Sequence, residues 1–149
     1  MSIKNKLVEQ YKILLQDKID IYQDLIDSLT DEAQNDAKSS AGDKHETTLS
    51  KLHIEQEKIS QKLNEALHQI QILSKLDVEV KSERVVLGSL VFTNHLNVLI
   101  ATALPKTIID SNPFFAISPQ SPLGIQLLGH QKGHIFQVNK IEYQILDIL

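Results

Sequence analysis

Residues 49–73 read LSKLHIEQEKISQKLNEALHQIQIL. Leu49, Leu52, Gln56, Ile59, Leu63, Ala66, Ile70 and Leu73 follow one another at alternating steps of three and four. That spacing places all eight on one side of an α-helix and makes a heptad seam, apolar except for Gln56. No glycine or proline interrupts the run, so nothing in it ends a helix. Upstream, Leu7, Tyr11, Leu14, Ile21, Leu25 and Leu29 share a second helical face, widened by Leu15, Tyr22, Ile26 and Ala33. Asparagine, aspartate, serine and glycine gather between Asn35 and Gly42 and mark a break. Two apolar-striped helices with one break predict an antiparallel hairpin with its tip near 35–46.

After residue 76 the pattern changes. All four prolines and four of the five glycines lie beyond residue 87. Residues 84–93 and 96–102 are rich in Val, Leu and Ile and flank Asn94-His95, which predicts two strands and a turn. Residues 114–118 form a third short run. Ser121-Pro122-Leu123 opens a predicted helix ending at Gly129, with proline in the first turn and glycine past the end. Residues 133–138 and 141–149 are β-rich around Asn139-Lys140, a predicted hairpin turn. The fold class is α+β: a helical hairpin over 1–76, then a small antiparallel sheet domain with one short helix over 77–149.

Composition narrows the function. Of 149 residues 42% are hydrophobic, enough for a packed core, and the net charge is −4. An acidic balance argues against nonspecific binding to a phosphate backbone. The chain has no cysteine, which excludes disulfides, thiolate metal sites and cysteine nucleophiles and fits a reducing compartment. The longest apolar stretch, 85–104, is interrupted by Thr93-Asn94-His95 and Asn97 and reads as strands rather than a membrane span. The expectation is a soluble, cytoplasmic protein without a signal peptide. The six histidines show no metal-ligand spacing and read as surface residues. No phosphate-binding glycine loop, nucleophile elbow or metalloprotease motif is present.

Two arrangements carry candidate chemistry. Asp43 and Glu46 stand three residues apart ahead of the seam. As carboxylates they suit a hard cation such as Mg²⁺; as Asp-x-x-Glu before a helix they also fit a capping box. Lys51, Lys58 and Lys62, with Lys44 near the tip, form a short basic face, to be read as an RNA contact or as solvated lysines paired with Glu55. Asp17, Asp20, Asp24, Asp27 and Asp31 make an acidic stripe, read as a solvated helix surface or as charge that steers docking.

Over nearly its whole length the chain resembles the Gre family of bacterial transcription elongation factors, of the GreA/GreB kind. Three features carry the likeness. The order is a long hairpin followed by an α+β domain. Gly42-Asp43-Lys44-His45-Glu46 is similar to the family's tip pattern. The run from Ile117 through Ser121-Pro122-Leu123, then Leu127-Leu128-Gly129, Gly133 and Ile141-Glu142-Tyr143-Gln144-Ile145, is similar to its C-terminal domain. The resemblance implies a partner, RNA polymerase, whose secondary channel receives the hairpin and the nascent RNA within it. It implies that Asp43 and Glu46 help hold a Mg²⁺ at the polymerase active site, which then cleaves backtracked RNA. The chain would have no cofactor of its own, no stably bound metal and no activity alone. The C-terminal domain would be FKBP-like, like the FK506-binding proteins, and dock at the channel mouth, with Ser121, Pro122 and Leu123 as docking candidates.

The family continues after the tip glutamate with Asn-Ala-Glu-Tyr, whereas this chain has Thr47-Thr48-Leu49-Ser50. That departure keeps open a channel-binding regulator that does not promote cleavage. A peptidyl-prolyl isomerase follows from fold analogy alone, and the absence of tryptophan argues against it. A plain coiled-coil interaction protein does not account for the Ser-Pro-Leu domain.

Overall fold

The computed structural model describes the backbone of residues 1–37 and 43–149 and the side chains of 1–35 and 46–149. The expected tip at 35–46 therefore lies largely outside the described residues. The chain divides into two compact units, residues 13–71 and residues 1–12 with 72–149.

Unit 13–71 consists of two long helices, α1 (Ile3–Ala37) and α2 (Asp43–Lys75), each running into the other unit at its far end. On α2 the expected seam is the covered face. Leu52 and Ala66 are buried, and Leu49, Gln56, Ile59, Leu63 and Ile70 are half-buried. Gln56, its polar member, donates from Nε2 to Thr30 Oγ1 at 2.8 Å, while Thr30 Oγ1 donates to the Ile26 carbonyl at 2.9 Å. A polar pair inside a seam fixes register at some cost in stability. On α1 the covered face differs from expectation. Leu15 is buried and Ile19, Tyr22, Ile26, Leu29 and Ala33 are half-buried, whereas Ile21 and Leu25 are 56% and 44% exposed. Two adjacent apolar rows compete on this helix, and sequence spacing does not rank them. The row facing Gln56 is the one carrying Thr30.

The other unit contains, among the described residues, six strands in one sheet and a short helix. The strands are β1 (Leu90–Thr93), β2 (Asn97–Ile100), β3 (Leu104–Ile109), β4 (Asn112–Ile117), β5 (Ile135–Val138) and β6 (Ile141–Ile148); the helix is α3 (Pro122–Leu127). The order across the sheet is β3-β4-β2-β1-β6-β5. Neighbours are antiparallel except β2 and β4, which pair in parallel with Val98 opposite Phe115. The sheet is thus mixed rather than antiparallel throughout, and the cause is β3. Its Pro105 and Lys106 hide a strand that sequence reading leaves as loop. Proline is tolerated there because β3 is an edge strand. With β3 in place the chain reverses twice between β2 and β4, which returns β4 parallel to β2. The second reversal is Asp110-Ser111, with φ of 50° and 67°. Asn139-Lys140, the turn the sequence does show, has φ of 51° and 67°. Left-handed conformations at both central residues match the right-handed twist of a hairpin.

Val85, Val91, Val98, Ile100, Leu127, Phe136, Tyr143 and Ile145 form one core, to which α3, β5 and β6 contribute beside β1 and β2. Leu90 and Leu99, which alternate to the opposite face, are also fully buried, so both faces of the central strands are covered. Residues from both helices belong to this unit. Leu7, Val8, Tyr11 and Leu73 are buried. Tyr11 Oη donates to the Pro105 carbonyl at 2.7 Å, and burial pushes its phenol up to about 12. Lys4, 5% exposed, donates to the carbonyls of Val80 and Leu149 at 3.3 and 3.2 Å. Burial lowers its ammonium from the ordinary lysine range, and Asp77 and Glu79 oppose that shift.

Candidate functional site

Asp43 is the first residue of α2, and its side chain, with those of Lys44 and His45, lies outside the described residues. Glu46, one turn on, is exposed. Positions three apart on a helix share one side. Lys51, Lys58 and Lys62 are all exposed on α2. Among the described residues none of the three makes an ion pair, so the pairing with Glu55 is not formed. Their spacing of seven and four sets them along one side of the helix. The five aspartates of the α1 stripe are exposed, and two of them accept from neighbouring amides. Gln16 Nε2 donates to Asp20 at 3.0 Å and Gln23 Nε2 to Asp27 at 3.2 Å. Among the described residues no group of three or more His, Asp or Glu side chains converges to hold a metal ion.

The three docking candidates at α3 have different environments. Ser121 is the helix cap. Its Oγ accepts from Gly124 N at 3.0 Å and donates to the Ser118 carbonyl at 2.7 Å. Leu123 packs half-buried against the core, and Pro122, at the first helical position, is exposed. Ser121 and Leu123 therefore shape the segment, and only Pro122 of the three is presented to solvent. Ile125, which sequence reading does not single out, is 60% exposed beside it. Gly124 closes the arrangement. A Cβ there would collide with the Ser118 carbonyl oxygen and meet Pro119 Cα and Ser121 Oγ at 3.0 Å. The run Ser118 to Gly124 is thus one interlocked turn: the cap needs its serine, and the close approach needs its glycine.

A second set of polar residues converges where the sequence gives little warning. Arg84, His130, Gln131, Lys132 and His134 line a cleft of about 290 Å³. His130 and His134, expected as surface residues, are half-buried and stacked with ring centroids 3.6 Å apart. The only sequence signal is their spacing around Gly133; Arg84 reaches them through the chain fold.

The described residues form a long antiparallel helical hairpin joined to a mixed-sheet α+β unit. No protein-family model and no curated protein matches the chain. Among solved structures it is similar to one described as the transcription factor Gfh1, at 22% identity and a TM-score of 0.35, over 92% of each chain. It is also similar to Thermus aquaticus Gfh1, at 23% identity and a TM-score of 0.34, over 97% of this chain and 90% of the other. Among the described residues no helix is long and apolar enough to cross a membrane.

Proposed function

We propose that the protein is a Gre-like transcription factor that binds bacterial RNA polymerase, inserts its hairpin into the secondary channel and stimulates the polymerase's own cleavage of backtracked RNA. The observation that carries the reading is a hairpin of 35- and 33-residue helices whose second helix opens on Asp43 and presents Glu46 to solvent. At about 1.5 Å per residue, each helix is roughly 50 Å long, enough to carry a group deep into a channel. Carboxylate oxygens suit Mg²⁺, which keeps several waters and is seldom held by one or two protein carboxylates alone. Asp43 and Glu46 thus lend ligands to a metal ion that the polymerase and RNA phosphate also hold. Lys44, Lys51, Lys58 and Lys62 are the candidates for contact with RNA. Pro122 and Ile125 are the exposed apolar residues of α3 available for docking.

Leu49, in place of the family's further acid, favours a second reading, a channel-binding regulator without cleavage. One experiment separates the two. The full chain is added to a backtracked polymerase complex carrying labelled RNA, beside the double variant Asp43→Asn with Glu46→Gln. Asparagine and glutamine keep the capping capacity and remove the charge. Cleavage by the original chain, reduced at least about tenfold in the variant while polymerase binding persists, is the expected result; a tenfold change corresponds to about 1.4 kcal/mol. Binding without cleavage transfers the assignment to the regulator. Failure to bind polymerase removes both.

A further inference from the structure

The cleft at Arg84 has a feature that neither channel binding nor docking uses. Four aromatic rings stack in series from the core to its wall. Tyr143 and Phe136, both buried, lie 5.4 Å apart at an interplanar angle of 10°. Phe136 and His134 follow at 5.7 Å and 21°. His134 and His130 close the series at 3.6 Å and 1°. The inner rings are core residues and the outer two are half-buried, so the stack ends on an imidazole at the surface.

The loop that carries the outer rings is held by backbone bonds. Val85 N donates to the His130 carbonyl at 2.9 Å, and Gly129 N to the Val85 carbonyl at 2.8 Å. Gly133 N donates to Ile145 at 2.8 Å, and Ile145 N to His134 at 3.0 Å. Gly129 and Gly133 take φ of 81° and 94°, which glycine adopts without strain. The backbone that carries the outer rings is therefore fixed before anything binds, and His130 is stacked on His134.

Cations flank it. Arg84 Nη1 donates to the Gly129 carbonyl at 2.9 Å, which orients the guanidinium and leaves most of its five N–H donors uncommitted. Lys132 is exposed. Among the described residues neither cation has an ion-pair partner, and no carboxylate lines this cleft. It continues, through Gln131 and Lys132, into a cleft of about 440 Å³ that adds Lys81 and also Glu83 and Asp147. An aromatic ring that ends a rigid stack accepts a further flat ring. A guanidinium and an ammonium beside it accept a phosphate.

We infer that this cleft binds a phosphorylated nucleoside, with the base stacked on His130 and the phosphate held by Arg84 and Lys132. The inference is independent of the hairpin's task. The shared chemistry is that of a free nucleotide and of an RNA end.

The test is calorimetric titration of the full chain at low salt with ADP, adenosine, inorganic pyrophosphate and 5′-phosphorylated pentaadenylate. ADP is expected to bind at least about tenfold more tightly than adenosine or pyrophosphate, since it engages both halves of the site. His130→Ala should weaken ADP on the order of tenfold and leave pyrophosphate unchanged, while His130→Phe restores ADP. Lys132→Gln, at an exposed position, should weaken ADP and pyrophosphate alike with unaltered thermal unfolding. A pentaadenylate affinity above that of ADP assigns the site to RNA ends, and one no higher assigns it to free nucleotides. ADP binding no tighter than pyrophosphate, or insensitive to both His130→Ala and Lys132→Gln, overturns the inference. So does absence of ADP binding at millimolar concentration.

Discussion

The hairpin unit and the sheet unit bury their apolar residues to different degrees. In residues 13–71 the described seam is largely half-buried, and Ile13, Ile21, Leu25, Ile54 and Leu67 are exposed. In the sheet unit Leu7, Tyr11, Leu73, Leu90, Leu99, Phe114 and Leu127 are fully buried. A two-helix seam covers only one stripe of each helix, whereas a sheet covered on both faces hides whole side chains. Stability therefore concentrates in the sheet unit, and the hairpin accepts surface change. Local opening follows the same gradient, since few buried side chains hold the described turns of residues 13–71.

The comparison breaks most sharply at Gly124. Replacing it with alanine drives a methyl group into the Ser118 carbonyl and disrupts the α3 cap. We expect a loss of about 2–3 kcal/mol, the range of overpacking in a closed site. Urea unfolding monitored by circular dichroism measures it, and a change under about 0.5 kcal/mol, the usual scale of surface substitutions, would show that the turn is not interlocked.

A second effect, of similar or smaller size, depends on pH. Tyr11 titrates at about 12 in the folded chain against 10.0 unfolded. The folded state thus holds its proton more tightly. The stability this contributes is complete below pH 10 and is lost as pH rises through 12. The two-unit shift corresponds to about 2–3 kcal/mol at most. Unfolding free energies measured between pH 9 and 12 should fall less steeply for Tyr11→Phe than for the original chain. Parallel curves would refute the assignment.

The smallest effect tests the other side of the comparison. Ile21→Ser and Leu25→Ser should each shift stability by no more than about 0.5 kcal/mol, as surface substitutions do. Tyr22→Ser and Ile26→Ser, on the covered row, should cost more. Equal costs in thermal unfolding would return Ile21 and Leu25 to the seam.

The sequence makes the long-range plan legible and the choice between equivalent rows illegible. The α2 seam is read correctly because one row recurs at alternating spacing from 49 to 73, and Ile54 and Leu67 stand off it as isolated apolar residues. On α1 two rows run side by side, and the Thr30–Gln56 bond that distinguishes them joins residues far apart in sequence. Ser121-Pro122 announces α3 because capping is local chemistry. β3 is missed because Pro105 is a reason against a strand unless the strand is known to lie at an edge. The parallel pairing of β2 and β4 is missed with it. At the candidate sites, Asp43 and Glu46 are legible as a motif. The cap duty of Ser121 leaves Pro122 and Ile125 as the presented surface, which only burial distinguishes. The Arg84 cleft joins residues 46 positions apart and has no sequence signature.

The antiparallel seam also makes the hairpin a graduated arm. Thr30 faces Gln56, and the covered positions recur every seven residues on both helices. Removing one heptad from each helix at facing positions leaves the remaining seam in register. It leaves residues 1–12 and 72–149 unaltered in sequence. The reach of the arm is therefore an adjustable length, set in steps of about 10 Å for seven residues, without redesign of the sheet unit.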